Sequence, residues 1–194
     1  MRIRLSAPER RKQLLAVAVD EFGVRGYHIT TMNQLAEAAG VTKPVLYQHF
    51  PSKRDLYLAV LGDVGERLRE AIADATGRAS SPHAQVESGF SAYFGFFADQ
   101  PAAFQVLFGD AARNDDEFAA VSHRVETELA DTIAELITIG TDADDRKLLA
   151  FGIVGLAEGS SRYWVARGLD IDPVRLATRM ADLVWYGLRG APRH

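Results

Sequence analysis

The chain has 194 residues, of which 47% are hydrophobic, so it is long enough to bury a core, and its formal net charge is −4. It contains no cysteine, which excludes disulfides and thiolate catalysis. Its longest smooth apolar stretch, residues 148–157, is far shorter than the roughly 20 residues of a membrane span, and the basic residues 1–4 lack the apolar run of a secretory signal. We therefore expect a soluble, cytoplasmic protein with no membrane partner.

The charge is distributed unevenly along the chain. Residues 1–55 contain nine Lys/Arg and five Asp/Glu, a balance of +4, whereas residues 56–194 contain thirteen and twenty-one, a balance of −8. A basic first part on an acidic remainder favours a polyanionic partner for the first part only. A difference of four charges over this length also arises by chance, so the charge balance alone leaves both interpretations open.

Apolar residues recur at spacings of three and four along nearly the whole chain, which predicts an all-α fold of about nine helices. Capping-box patterns mark three helix starts, at Ser6, Thr31 and Ser52. The predicted helices cover residues 7–23, 32–39, 43–49, 53–75, 83–99, a sixth after Pro101, a seventh from a cap at Asn114 to about 140, 143–167 and 173–188.

The second and third predicted helices are separated by Gly40, Val41 and Thr42. A glycine at this point can adopt the left-handed conformation that ends a helix, and Thr42 can cap the next one. Pro44 is tolerated in the first turn, where its missing amide has no helical partner. Two short helices joined by a glycine-led turn of three residues are typical of a helix-turn-helix.

The third helix is predicted to bury Leu46 and Phe50 against Leu35, Ala36 and Ala39 of the second. The side chains left outside include no acidic residue, although a carboxylate would suit a helix start and would repel phosphate. The outer side chains predicted to contact DNA are Lys43 on guanine, Pro44 and Val45 on thymine methyls, and Tyr47, His49 and Lys53 on phosphates. Taken singly, each has a structural alternative, such as Tyr47 packing on the first helix or His49 as an ordinary surface histidine.

Residues 31–56, TMNQLAEAAGVTKPVLYQHFPSKRDL, and the preceding AVDEFGVRGYHITT at residues 18–31 resemble the signature of the TetR family of one-component bacterial transcription regulators. The resemblance implies an all-α homodimer with a three-helix DNA-binding head at residues 1–52. It also implies a body at residues 53–194 that binds a small effector and dimerises. By motif position, Thr31, Tyr47, His49 and Lys53 would contact phosphates, and Lys43, Pro44 and Val45 would read bases. Met32 stands where some relatives have a base-reading arginine, which leaves open whether the second helix reads sequence.

Two stripes in the last helices are candidates for a dimer interface. Each glycine in a helix costs about 0.5–1 kcal/mol relative to alanine, so three on one side of the eighth helix suggest close approach by another helix. The predicted interface residues are Gly152, Gly155 and Gly159, with Leu176, Met180, Leu183, Val184 and Gly187 of the ninth helix. The alternative is that both stripes are core of a single chain, and the resemblance favours the interface.

An aromatic cluster is the candidate effector cavity, because ligand pockets are largely apolar. The predicted ligand-binding residues are Phe90, Tyr93, Phe94, Phe97, Phe104, Phe108 and Trp164. The alternative for an aromatic stripe at helical spacing is ordinary core. Arg113, Arg124 and Arg162 could contact an anionic group of an effector but fit surface ion pairs better.

The sequence lacks the nucleophile, zinc and phosphate-loop motifs of the common enzyme classes, and its five histidines lack metal-ligand spacing. We therefore expect no enzyme, no cofactor and no metal. The predicted function is a transcription regulator, by the family's default a repressor, that binds a palindromic operator in double-stranded DNA as a homodimer. A small apolar or amphipathic effector would release it. The alternatives are a helical ligand-binding protein with a non-specific or vestigial head, and a DNA-coating protein, which would need a broader basic surface.

Overall fold

The computed structural model describes residues 5–138, 142–168 and 170–189, and every regular element within these ranges is an α-helix. The ten helices are α1 (Ala7–Arg25), α2 (Met32–Ala38), α3 (Lys43–His49), α4 (Lys53–Gly77), α5 (Pro82–Asp99), α6 (Pro101–Phe108), α7 (Asp110–Asn114), α8 (Asp116–Leu136), α9 (Ala143–Ala166) and α10 (Pro173–Arg189). The all-α prediction is confirmed. None of these helices is both long and apolar enough to cross a membrane.

Three predicted helix starts are capped as expected. Ser6 and Thr31 form complete capping boxes, with Glu9 and Gln34 as the reciprocal partners. Ser52 Oγ accepts a hydrogen bond of 3.0 Å from the amide of Asp55. These local bonds satisfy amide groups that the first turn of each helix leaves without partners.

Two predicted caps were wrong. Thr42 precedes α3 but its side chain makes no capping bond, because one of the two amides that a cap usually binds is replaced by Pro44. Asn114 ends the short α7 instead of starting the next helix. The start of α8 is capped by Asp115, whose Oδ1 accepts from the amides of Glu117 and Phe118 at 3.1 and 3.2 Å. A carboxylate suits this position because it also complements the helix dipole. The predicted helix end near residue 140 lies outside the described residues, and α8 ends at Leu136.

The chain forms two compact units. The first comprises Met1–Gly65 and Gln100–Ser122, and the second comprises Glu66–Asp99 and His123–His194. Helices α4 and α8 each contribute residues to both. This division by compactness differs from the functional boundary expected at residue 52, which stays a prediction.

The core of the first unit includes the facing surfaces of α2 and α3. Leu35, Ala36, Ala39, Leu46 and Phe50 are all buried, as predicted from their spacing. Side chains of α1 fasten this pair from outside. Gln13 Nε2 donates to the carbonyl of Ala39 at 3.3 Å, and the Arg11 guanidinium lies 4.4 Å from the centre of the Phe50 ring. The helix-turn-helix is therefore held in a fixed orientation on α1.

Candidate nucleic-acid interface and ligand cavity

The turn between α2 and α3 has the geometry that its sequence predicts. Gly40 adopts φ 63°, a left-handed conformation that favours glycine. The amide of Val41 donates to the carbonyl of Ala36 at 2.9 Å, and the amide of Gly40 donates to the carbonyl of Glu37 at 3.0 Å. These bonds close α2 and set the direction in which α3 begins.

The outer face of α3 is open to solvent. Lys43, Pro44 and Tyr47 are exposed, and Val45 and His49 are half-buried. The Tyr47 side chain is 40% exposed, so it does not pack into the interior between the helices. The Lys43 ammonium lies 5.8 Å from the centre of the Tyr47 ring, and the first turn of α3 contains no acidic residue. A short helix that presents a cation, a phenol and small apolar groups can enter the major groove of DNA.

Thr31 and Met32, at the start of α2, differ in whether their side chains can reach DNA. Thr31 is exposed at the start of the helix, and its hydroxyl takes part in the capping box with Gln34. Met32 is only 8% exposed and belongs to the core. The position at which some relatives have an arginine is thus unavailable for base reading in this chain, because its side chain faces the interior.

Lys53 is already bound within the fold. Its Nζ donates to the carbonyls of Tyr27, His28 and Thr30 at 2.8, 3.3 and 3.0 Å, and it lies 4.4 Å from the centre of the Tyr27 ring. Partial burial lowers the pKa of this ammonium group. All three N–H groups have backbone acceptors, so Lys53 fastens α4 to the α1–α2 connection. Its contact with phosphate stays a prediction.

Arg54 fastens the same end of α4 to the start of α8. Its guanidinium binds both carboxylate oxygens of Asp115 at 2.8 Å and one oxygen of Glu117 at 2.6 Å. It also lies 4.7 Å from the centre of the Phe118 ring. Because these two cations, Lys53 and Arg54, are engaged inside the first unit, the charge balance of residues 1–55 overstates the positive charge free for DNA.

The second unit contains an apolar cavity of about 280 Å³. Its wall comes from residues 72 and 76 of α4, residues of α5 between 82 and 93, residues of α8 and its end between 129 and 138, residues 153, 154 and 157 of α9, and residues 184 and 185 of α10. Most of these side chains are apolar. Cavities of this kind bind small molecules through burial of apolar surface.

Of the seven aromatic residues predicted to bind ligand, only Phe90 and Tyr93 line this cavity. Phe94, Phe97 and Trp164 are at most 1% exposed and pack in the core of the second unit, with the Phe94 and Trp164 ring centres 5.9 Å apart. The remaining two, Phe104 and Phe108, belong to the first unit, where their ring centres are 5.1 Å apart. These five residues lie outside this cavity, in packed core, and their contact with a ligand stays a prediction.

The residues that sequence reasoning missed are mainly aliphatic. Leu129, Ile133, Leu136 and Ile137 form one side of the cavity. They recur at spacings of four, three and one, which is the apolar stripe of an amphipathic helix. The pattern was present in the sequence, but it does not distinguish a cavity wall from packed core.

Most of the predicted interface residues are exposed or half-buried, and two are buried. Gly152, Gly155 and Gly159 are exposed, and a Cβ added at any of them would meet no atom within 4 Å. On α10, Leu183 and Gly187 are exposed, and Met180 is half-buried with its sulfur accepting from Ser160 Oγ at 3.0 Å. The two exceptions are Leu176 and Val184, at 9% and 8% exposed, which belong to the chain's own core, and Val184 lines the cavity.

Two of the three arginines considered for an effector's anionic group form ion pairs. Arg113 pairs with Asp110 at 2.7 Å, and Arg162 pairs with Glu158. Within the described ranges, no group of three or more side chains is arranged to hold a metal ion.

An exposed recognition helix on a helix-turn-helix and an apolar cavity in a separate helical unit define the class of ligand-responsive transcription regulators. The family model described as bacterial regulatory proteins, tetR family, matches residues 14–60. The HTH-type transcriptional activator FasR of Mycolicibacterium smegmatis is 32% identical over 191 residues, covering 97% of this chain and 87% of FasR. The chain therefore belongs to the TetR family of bacterial transcription regulators.

Solved structures agree with this assignment. A TetR-like transcriptional regulator from Rhodococcus sp. RHA1 is 31% identical, with a TM-score of 0.78 over 97% of this chain and 100% of that one. FadR from Bacillus subtilis, solved in complex with stearoyl-CoA, has a TM-score of 0.76 over 89% of this chain and 96% of that one. At 17% identity this second likeness concerns the fold alone. The related proteins are regulators, which fits the expectation that the chain is not an enzyme.

Proposed function

We propose that the protein binds a palindromic operator as a cytoplasmic homodimer through α3, and that an apolar or amphipathic effector in the cavity releases it. The observation that carries the proposal is the contrast between the two faces of α3. Leu46 is buried, whereas Lys43, Pro44 and Tyr47 on the outside are exposed with no acid among them. A structural helix has no need of such a face, but a recognition helix does.

The exposed side chains have different proposed roles. Lys43 at the start of α3 is placed to donate to a guanine, and Pro44 and Val45 to contact thymine methyls. Tyr47, His49 and Thr31 are proposed to contact phosphates, which fix the register and carry no sequence information. The alternative of a vestigial or non-specific head predicts that none of these side chains affects sequence preference.

We expect Lys43→Ala to weaken binding to the preferred operator about tenfold and to relax the preference at one base pair, since one good base contact is lost. Tyr47→Phe should instead weaken binding to every sequence alike, because a phosphate contact is sequence-independent. Both effects are measured by gel shifts at several salt concentrations. The DNA is the region upstream of the gene that encodes this protein, together with single-base variants of it.

Lys53→Met serves as the structural comparison in this series. It removes three hydrogen bonds inside the fold, so the melting temperature should fall along with DNA affinity, whereas Lys43→Ala and Tyr47→Phe should melt like the wild type. If Lys43→Ala and Tyr47→Phe changed affinity for all sequences in the same way, the division between base and phosphate contacts would be wrong.

A homodimer through α9 and α10 is the second part of the proposal. The exposed glycines of α9 lie beside large exposed apolar side chains: Leu148 is 71% exposed and Tyr163 is 61% exposed. Leu183 and Tyr186 of α10 are 57% and 68% exposed. Two helices from each of two chains would bury these residues in a four-helix interface, with the glycines allowing close approach.

Gly155→Leu is expected to shift the protein from dimer to monomer, because a leucine on α9 would hold the two copies apart. Overpacking of this kind costs about 1–3 kcal/mol, or roughly 5- to 150-fold in the dimer dissociation constant. Sedimentation velocity over a concentration series measures it. Gly62→Leu is the matched control, since Gly62 is an exposed glycine of α4 with open space around it. A dimer of unchanged stability in Gly155→Leu would place the interface elsewhere.

We infer that the effector contains a long acyl chain. The apolar wall supports this, and the cavity of about 280 Å³ suits an apolar chain better than a whole coenzyme thioester. The fold of FadR, solved with stearoyl-CoA, adds support by analogy. Repression, expected from the resemblance, stays a prediction, and the related FasR is named an activator.

The proposed signal passes along α4. This helix contributes Ile72 and Thr76 to the cavity wall, and its first residue, Lys53, is bound to the α1–α2 connection. An effector that binds the protein more tightly when α4 is in one position shifts the population of molecules toward that position. The size of the shift is set by the difference between the effector's affinities for the two positions. The spacing of the two recognition helices would change with it, and the dimer would no longer fit its two half-sites.

A further inference from the structure

Three consecutive cations at the start of α1 have no carboxylate partner. Arg10, Arg11 and Lys12 lie in the first two turns of this helix, and within the described ranges none of them forms an ion pair. Arg11 and Lys12 are exposed, and Arg10 is half-buried. The adjacent acid, Glu9, is bound in the capping box, where its carboxylate accepts from the Ser6 amide and hydroxyl at 2.8 and 2.7 Å. Since the positive end of the helix dipole also lies here, the three cations are unfavourable for the chain alone, and a negatively charged partner would relieve this.

The other cations in the described part of residues 1–55 are mostly engaged inside the fold. Arg25 and Arg54 pair with carboxylates, and Lys53 donates to three backbone carbonyls. Lys43, at the start of α3, is the one further cation of this part of the chain that has neither kind of partner. Most of the positive charge that these residues can offer to DNA therefore lies on α1.

Arg11 joins this charge to the recognition helix. Its guanidinium lies 4.4 Å from the centre of the Phe50 ring, and its Nη1 donates to the carbonyl of His49, the last residue of α3, at 3.4 Å. This long hydrogen bond leaves four of the five guanidinium N–H groups without an acceptor among the described residues. The contact with Phe50 holds the planar group in place, and a guanidinium held in this way can donate to two oxygens of one phosphate.

We propose that the start of α1 is a second DNA-contacting surface, in which Arg11 binds a backbone phosphate beside the end of α3 and Arg10 and Lys12 strengthen the attraction to the duplex. We call these three residues the α1 basic surface. The inference rests on the proposed operator binding through α3 and extends it, because none of the three is among the side chains predicted to contact DNA. Since phosphates are the same in every sequence, the surface contributes affinity and orientation but no sequence preference.

Fluorescence anisotropy of the full chain with two labelled duplexes, at salt concentrations from about 50 to about 200 mM, tests the α1 basic surface. One duplex is the region upstream of the gene that encodes this protein, and the other is an unrelated sequence of equal length. Arg11→Met keeps a hydrocarbon stem over Phe50 and removes the charge. It should weaken binding to both duplexes alike, about tenfold at low salt, and reduce the slope of log affinity against log salt by about 1 for each bound copy. Arg11→Lys should keep the slope, because the charge remains.

Arg78→Met is the matched control, since Arg78 is an exposed arginine of the second unit that has no carboxylate partner in the described part of the chain. Its removal should leave affinity and salt slope unchanged. Lys12→Met is the second test variant. The Lys12 side chain forms no hydrogen bond or ion pair with any described residue, so the variant should melt like the wild type and still reduce the slope.

An unchanged salt slope in both Arg11→Met and Lys12→Met would overturn the α1 basic surface and leave operator binding through α3 standing. A lower affinity and melting temperature of Arg11→Met with an unchanged slope would also count against the surface, because Arg11 would then only fasten α1 to α3. Failure of the wild type to bind either duplex would overturn the proposed function and the surface together.

Discussion

Replacing Ile133 with tryptophan should abolish the response to the effector and leave operator binding intact. Ile133 lies on the wall of the cavity, between Leu129 and Leu136 along the apolar stripe of α8. An indole at this position is bulkier than the isoleucine side chain and would intrude into a space of only about 280 Å³, where it would block part of the path of an acyl chain. Ligand affinity should fall by roughly 100-fold or more, which corresponds to about 2.7 kcal/mol. Titration with an acyl ligand and effector-dependent release in a gel shift are the two measurements.

Glu135→Trp gives the matched control for this experiment. Glu135 lies on the same helix but is exposed and outside the cavity, so the same ring should leave the effector response unchanged. A cooperative melt and wild-type operator affinity would demonstrate that Ile133→Trp is folded. Normal effector release by that folded variant would mean that the effector binds elsewhere.

The exposed face of α3 could be predicted from sequence at the level of single residues because its determinants are local. Gly40 sets the turn, and the spacing of Leu46 and Phe50 decides which side of α3 is buried. The exposure of Tyr47 then follows from helical geometry alone. The seven residues of α3 and the three-residue turn before it therefore contain most of the information needed to predict which side chains are exposed.

Lys53 marks the limit of that reasoning. Its position beside the recognition helix predicts a phosphate contact, but its ammonium binds three carbonyls that lie 23 to 26 residues earlier in the chain. That arrangement depends on how the α1–α2 connection folds back over the start of α4. A local pattern contains no information about it.

The cavity depends on contacts more distant still. Phe90 and Phe94 are four residues apart on α5, yet Phe90 lines the cavity and Phe94 packs against Trp164 in the core. Val184 has the spacing of an interface residue and lines the cavity instead. Periodicity identifies which face of a helix is buried, but whether five buried faces meet tightly or leave a space depends on the packing of all five.

Gly23→Val is expected to have the largest effect on stability. A Cβ at Gly23 would lie 2.5 Å from Ala102 Cβ and 2.6 Å from both Ala102 Cα and its carbonyl oxygen. Two of these atoms are backbone, so no rotamer change relieves the clash, and α1 and α6 must separate. The expected loss is about 3 kcal/mol or more, at the upper end for overpacked cores. Chemical denaturation followed by circular dichroism measures the free energy of unfolding.

Gly62→Val separates the clash from the general effect of valine in a helix. Gly62 belongs to the same compact unit, and a Cβ there meets nothing within 4 Å. Its replacement should change stability by only a few tenths of a kcal/mol, because valine is a slightly better helix former than glycine. Because α1 holds α2 and α3 in orientation, Gly23→Val should also lose operator binding at temperatures where Gly62→Val keeps it. Wild-type stability in Gly23→Val would mean that α1 and α6 lie farther apart than the short distances between Gly23 and Ala102 indicate.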